Sequence, residues 1–87
     1  MFRKYQGIKL SYNEQGLIYF ICLNYFDMPE AVKRKITKLC FEVGQKQHKA
    51  LFELLTNEHK TISDLTDEYS VSKNELYRLR REFYKKM

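Results

Sequence analysis

Four candidate capping boxes stand along this chain, each a side-chain oxygen three residues ahead of a carboxylate: Ser11–Glu14, Asp27–Glu30, Thr61–Asp64 and Ser72–Glu75. The first turn of a helix leaves backbone N–H groups without partners, and two side chains at this spacing can satisfy them reciprocally. Each pair therefore predicts a helix start. Turn-makers are scarce, since the 87 residues include three glycines and one proline. That is too few for many short strands joined by tight turns. The expected fold class is all-α, a compact bundle of about five helices forming one domain over residues 1–87.

Apolar periodicity fills in the helices between these starts. The first is expected over residues 12–26 and carries GLIYFICLNYF, apolar on every side. Pro29 is tolerated in the first turn of the second. There Val32, Ile36, Leu39 and Val43 recur at spacings of four, three and four, and Gly44 can end the helix. Its other face carries Lys33, Arg34, Lys35 and Lys38. A third helix, about 46–58, aligns Ala50, Leu51, Leu54 and Leu55. A short fourth covers about 62–69, and a fifth follows Ser72 with Leu76, Leu79 and Phe83 facing inward. Residues 1–10 read as an irregular arm bearing Arg3, Lys4 and Lys9.

Composition narrows the function. Hydrophobic residues make up 44% and aromatic residues 15% of the chain, which excludes general disorder. Cys22 and Cys40 form no CxxC pair and lie in apolar runs, so they are expected as buried free thiols rather than ligands or a disulfide scaffold. His48 and His59 have no ligand spacing around them, and Gly7, Gly16 and Gly44 are isolated, so neither a metal site nor a phosphate loop is expected. No nucleophile–base grouping can be argued. The chain is therefore expected not to be an enzyme and to use no cofactor. The start MFRKYQGIKL lacks the apolar centre of a signal peptide. The uncharged run from Gln15 to Phe26 falls short of the ~20 residues that span a bilayer. A cytoplasmic protein without a membrane partner is the expectation.

One segment carries a sharper signal. In ISDLTDEYSVSKNELYRLRR, Ile62, Leu65 and Tyr69 form an inner stripe, Val71 can plug a turn, Ser72 can cap the next helix, and Leu76 and Leu79 can pack back. Two short helices crossing at roughly 90–120° through a tight turn need this arrangement. LTDEYSVSKNELYRLRREF resembles the helix-turn-helix of homeodomain-like transposase and recombinase subunits and of small phage or plasmid regulators. The likeness covers residues 61–84, and the whole motif would occupy 61–86. Thr66 stands where such motifs favour Ala or Gly, and Ser70 where they favour Gly. No β-hairpin wing is expected, because the chain stops after the fifth helix, and there is no room for a recombinase catalytic domain.

The resemblance implies sequence-specific binding of double-stranded DNA by a small transcriptional regulator or mobile-element accessory factor. In such motifs the first turns of the second helix enter the major groove. Lys73, Asn74, Tyr77, Arg78 and Arg81 would face the bases, where Arg can bond guanine and Asn adenine bidentately. Ser72, Ser63 and Thr61, with the N-terminal amides of the fourth helix, would hold phosphates. Charge is segregated to match. Residues 73–87 carry six basic and two acidic side chains, residues 28–49 the same, and residues 50–72 one basic and five acidic, within a chain of net +5.

Other readings stay open on the same residues. A solvated terminal helix would also carry cations near its C-terminus, where the helix dipole favours them. The apolar first helix could be central to the bundle, or its residues 16–26 could form a homodimer interface or dock a larger protein. In that second case the chain is a phage- or plasmid-type adaptor. A stacking platform for single strands and a basic amphipathic membrane binder are weaker alternatives.

Overall fold

The computed structural model describes residues 3–87, and all of their regular structure is helical. The α-helices are α1 Tyr12–Leu23, α2 Glu30–Gly44, α3 His48–Thr56, α4 Ile62–Tyr69 and α5 Lys73–Lys86. A 3₁₀ turn, Tyr25–Asp27, precedes α2, and another, Gln45–Gln47, links α2 directly to α3. Because no loop interrupts residues 30–56, the chain runs as four helical segments, the second of which bends back on itself. The bend is sharp at Gln45, whose φ is 48°. The Cα radius of gyration is 12.1 Å, close to the ~12 Å of a compact chain of this length.

Local chemistry explains most of the helix starts. Ser11 Oγ accepts the Glu14 N–H at 3.1 Å, and Glu14 Oε1 accepts the Ser11 N–H at 3.1 Å, closing one capping box. Thr61 and Asp64 close another, at 3.1 and 2.9 Å. Ser72 Oγ accepts the Glu75 N–H at 3.1 Å, but the Glu75 carboxylate turns to Arg78 instead of closing a third. The expected box at Asp27–Glu30 does not form. Pro29 takes the N-cap position there, and Asp27 ends the preceding 3₁₀ turn with its N–H on Asn24 C=O at 2.9 Å.

The core has two parts. The larger gathers Ile18 and Cys22 of α1, Ile36 and Cys40 of α2, Leu51 and Leu55 of α3, and Leu79, Phe83 and Tyr84 of α5. The smaller gathers Ala50 of α3, Leu65 of α4, Val71 of the turn and Leu76 of α5. Thus α3 faces one cluster with Leu51 and Leu55 and the other with Ala50, while α5 enters both. Ala50, Leu51, Leu65 and Leu76 are wholly buried.

The arm is irregular, as expected, but it is docked. Gln15, fully buried, uses its Oε1 to accept the Tyr5 N–H at 2.8 Å. Its Nε2 donates to the Leu10 C=O at 3.1 Å. A buried amide satisfied at both ends offsets its desolvation, and here it ties the arm to α1. Ile8 is buried, while Arg3, Lys4 and Lys9 are exposed. The first two residues of the expected arm lie outside the described residues.

The greasy α1 is not wrapped on all sides. Ile18 and Cys22 enter the core, but Leu17 is 63% and Phe20 53% exposed, and Phe26 beyond the helix is 74% exposed. Among the described residues no helix is long and apolar enough to cross a membrane, and no cluster of His, Cys, Asp or Glu could hold a metal ion.

Burial makes both thiols inert. Cys22 and Cys40 are each pushed up to about 12 from an ordinary value of 9.0 by desolvation. Only the thiolate reacts, so at pH 8 alkylation by iodoacetamide is expected to be at least about a thousandfold slower in the folded chain than in denaturant. Mass spectrometry of timed aliquots reads this directly, and rapid double labelling of the folded chain would contradict the packing described.

Candidate nucleic-acid interface

Residues 60–87 contain the segment singled out from the sequence. α4 ends at Tyr69, and Ser70 adopts the left-handed conformation with φ 53° and ψ 44°. Val71 then points inward and is buried, and Ser72 caps α5. Three residues, Ser70 to Ser72, therefore link the two helices. The Val71 side chain and the inner residues of α4 and α5 share the smaller core cluster, with Ile62 and Tyr69 packed at its margin. Thr66 is half-buried, and its hydroxyl donates to the Ser63 C=O at 2.8 Å.

Burial of Leu76, Leu79, Phe83 and Tyr84 fixes which face of α5 is turned out. At 3.6 residues per turn the opposite side carries Asn74, Arg78, Arg81 and Lys85, spaced four, three and four apart. Lys73, Asn74 and Arg78 are exposed, and Tyr77 lies at the edge of this face with 37% of its surface open. The side chains of Lys73 and Asn74 make no hydrogen bond or ion pair among the described residues.

Two of the expected reading side chains are engaged. Arg78 Nε lies 2.7 Å from Glu75 Oε1, and its NH2 lies 3.0 Å from Glu75 Oε2, a bidentate pair. Arg81 is half-buried under the arm. At Gly7, where φ is +80°, a Cβ would stand 3.0 Å from Arg81 Cδ. Only glycine combines that φ with so close an approach.

The three hydroxyl residues behave differently from one another. Thr61 and Ser72 spend their oxygens as N-cap acceptors; the Thr61 hydroxyl is also engaged with the Asp64 carboxylate, whereas Ser72 keeps its hydroxyl hydrogen available to donate. Ser63 is exposed on the first turn of α4. The Thr61 N–H is already taken by Asp64, whose carboxylate adds negative charge at that helix start. Two of the neighbouring acids share one lysine. Lys60 Nζ sits 2.6 Å from Glu68 Oε1 and 3.6 Å from Glu53 Oε2, joining the α3–α4 loop to both helices.

Sequence reasoning missed three features. Arg80 lies on the inner flank of α5, its guanidinium carbon 3.7 Å from the centre of the Tyr5 ring and 5.3 Å from that of Tyr77. Tyr5 also packs edge-on to Tyr84 at 5.3 Å. Lys35 Nζ donates to the Met87 backbone C=O at 3.1 Å, which brings the basic face of α2 beside the end of α5. Apart from Arg80 against Tyr77, three residues away on the same helix, these contacts join residues far apart in the chain, so nothing in the spacing of the sequence marks them. No family model matches this chain, and neither a characterised protein nor a solved structure is significantly similar to it.

Two predictions concern this segment. A left-handed residue with a side chain is disfavoured relative to glycine, so Ser70→Gly is expected to stabilise the fold by about 0.5–1 kcal/mol. Ser70→Val is expected to destabilise it, and urea unfolding of both variants checks the sign. The second prediction follows from the carboxylates. The Thr61 N–H and hydroxyl hold Asp64 below its ordinary 3.8, Lys60 holds Glu68 below 4.5, and Arg78 holds Glu75 below 4.5. A carboxylate with a lower pKa in the folded state contributes stability above its unfolded pKa and loses it as pH falls through the folded one. The melting temperature should therefore decline below about pH 4.5, whereas a rise on further acidification would contradict the pairing.

Proposed function

We propose that this chain is a small helix-turn-helix protein that binds double-stranded DNA in a sequence-specific manner, with residues 61–86 as the motif and α5 as its reading helix. The observation that carries the proposal is the three-residue turn at Ser70–Ser72. It seals Val71 inside and leaves Asn74, Arg78 and Lys85 as an outward row, with Arg81 on the same side but half-buried under the arm. Lys73 and Tyr77 flank that row at the end of α5 that would enter the major groove. Ser63 and Ser72 donate to phosphates, Thr61 does so only on release from Asp64, and Lys85, Lys86 and the exposed Arg34 and Lys38 of α2 supply attraction that does not depend on sequence. A role as a transcriptional regulator or mobile-element accessory factor fits this chemistry.

A second reading has its own support. Leu17, Phe20 and Phe26 are apolar and exposed within residues 16–26, as a dimer interface or a docking face for a larger protein would require. Ile18 and Cys22 of that segment are committed to the core. An adaptor would use this face and keep the α4–α5 corner for packing alone. A gel shift at low salt, paired with light scattering, separates the readings. Partner binding with no affinity for DNA favours the adaptor.

Selection of bound duplexes from a random pool tests the DNA reading. Arg78→Ala and Asn74→Ala are each expected to cost about 1–3 kcal/mol on the selected site and to relax specificity at one base pair. Lys86→Ala should weaken all duplexes alike and shallow the dependence of log K on log salt by about 1. Unchanged preference in both the Arg78 and Asn74 variants would defeat the assignment of the reading face.

A further inference from the structure

Three depressions lie side by side over α2, α3 and the end of α1. The first is bordered by Leu23, Phe26 and Glu58, the second by Cys40, His48 and Lys49, and the third by Arg34, Lys38 and Glu42. Phe52 and Glu53 border both the first and the second, while Thr37 and Phe41 border both the second and the third. The three therefore form one continuous band. Two rings stand out of it, Phe26 with 74% and Phe41 with 63% of its surface exposed. The DNA reading uses neither ring.

Charge changes sign along this band. At the first depression Glu58 is exposed and in no ion pair, and the same holds for Asp27, the residue after Phe26. Glu53 there shares Lys60, Lys33 nearby is offset by Glu30 at 3.9 Å, and His59 is the remaining basic side chain. At the other end Arg34, Lys38 and Lys49 are exposed and form no ion pair among the described residues, with Glu42 as the unpaired acid beside them. An apolar face that is acidic at one end and basic at the other complements a copy of itself. A half-turn about an axis lying in the band at Phe52 lays each acidic end on the basic end of the other copy, which closes the assembly at two.

Shape agrees with charge. The second depression encloses about 320 Å³, more than twice the ~150 Å³ that holds a benzene ring in an engineered cavity. Phe41 and His48, stacked at 4.4 Å, form one of its walls. A phosphate backbone brings no apolar group to fill it, whereas the projecting Phe26 ring of a second copy does. Eight, eight and five residues border the three depressions, four of them twice. That falls just short of the ~20–30 residues a side of a standard interface, so the fit is that of a weak dimer.

We infer that a second copy of this chain covers the band, in an isologous dimer that seats Phe26 of each copy beside Phe41 of the other and lays Asp27 and Glu58 against Arg34, Lys38 and Lys49. Only Phe26 is taken from the α1 segment considered above, Leu17 and Phe20 stay in solvent, and nothing in the interface rests on DNA binding. Arg34 and Lys38 cannot serve the dimer and a duplex at once, so the two compete.

Sedimentation equilibrium of the full chain tests this. A reversible monomer–dimer equilibrium is expected, with a dissociation constant on the order of 100 µM or below. Phe26→Ser should weaken it at least about tenfold, and Leu17→Glu should leave it unchanged. Asp27→Lys combined with Glu58→Lys should also weaken it at least about tenfold, as should Lys38→Glu combined with Lys49→Glu. The second pair brings the chain nearer neutrality, so its loss of association cannot come from overall repulsion. The chain carrying all four reversals should associate again, because its ends are opposite in charge once more. All these side chains are exposed, and thermal melts check that each variant folds. The inference is overturned if the unaltered chain stays monomeric up to about 1 mM, if Leu17→Glu rather than Phe26→Ser dissociates the dimer, or if the fourfold reversal does not restore it. Should a variant fail to fold, the unaltered chain and Leu17→Glu decide.

Discussion

α5 is clamped by two apolar clusters at once, and its rotation about its own axis follows from that. Leu76 enters the smaller cluster with Ala50, Leu65 and Val71, while Leu79, Phe83 and Tyr84 enter the larger one with α1, α2 and α3. Removing a side chain such as Leu76 from a fully packed site costs about 2–5 kcal/mol, so turning the helix out of register would be prohibitive for a domain whose whole stability is about 5–15 kcal/mol. Every statement about what α5 presents to its surroundings rests on this double anchorage. Ala50 lets it happen. As the small residue of α3 within the smaller cluster, it allows the α4–α5 corner to sit close, and the spacing of Leu51 and Leu55 turns the remaining face of α3 toward the larger core.

Much of this was legible because it is local. A capping oxygen, an apolar spacing and a three-residue turn act within one or two helical turns, so Ser11, Thr61 and Ser72 cap as their neighbours suggest, and Val71 and Leu76 face inward. The Asp27–Glu30 box failed for an equally local reason that spacing alone does not show. Pro29 has no N–H and a fixed φ, and it occupies the cap itself, leaving Asp27 to finish the preceding turn. The boundary between α2 and α3 was blurred in the same way. Gly44 suggested a stop, yet the chain continues through a 3₁₀ turn and takes its unusual φ at Gln45.

The illegible part is the set of contacts closed by the arm. Gln15 opens an otherwise apolar run, and nothing in its spacing marks it as buried. It is buried because the Tyr5 and Leu10 backbone groups arrive to satisfy its amide. Arg80 seemed to be one of six cations on a basic helix, and only the arrival of Tyr5 separates it from the others. Contacts between residues five to seventy-five positions apart, closed by an irregular arm, leave no periodic trace, and polar groups of this kind are where pattern reading fails first.

The pairing of Arg78 with Glu75 bears on the proposed DNA contact. An exposed i, i+3 ion pair is worth about 0–1 kcal/mol in water and is screened by salt. A bidentate contact from Arg to guanine discriminates by about 1–3 kcal/mol. If α5 enters a major groove, the carboxylate can therefore be displaced at the correct base but holds the guanidinium where no guanine is offered. Near a phosphate backbone Glu75 also adds repulsion that sequence-independent binding cannot recover. On the DNA reading, the acid three residues ahead of Arg78 lowers affinity for every duplex and lowers it least for the right one. A bare basic helix lacks that property, and it gives the Glu75 side chain a reason to face Arg78 rather than complete the cap at Ser72.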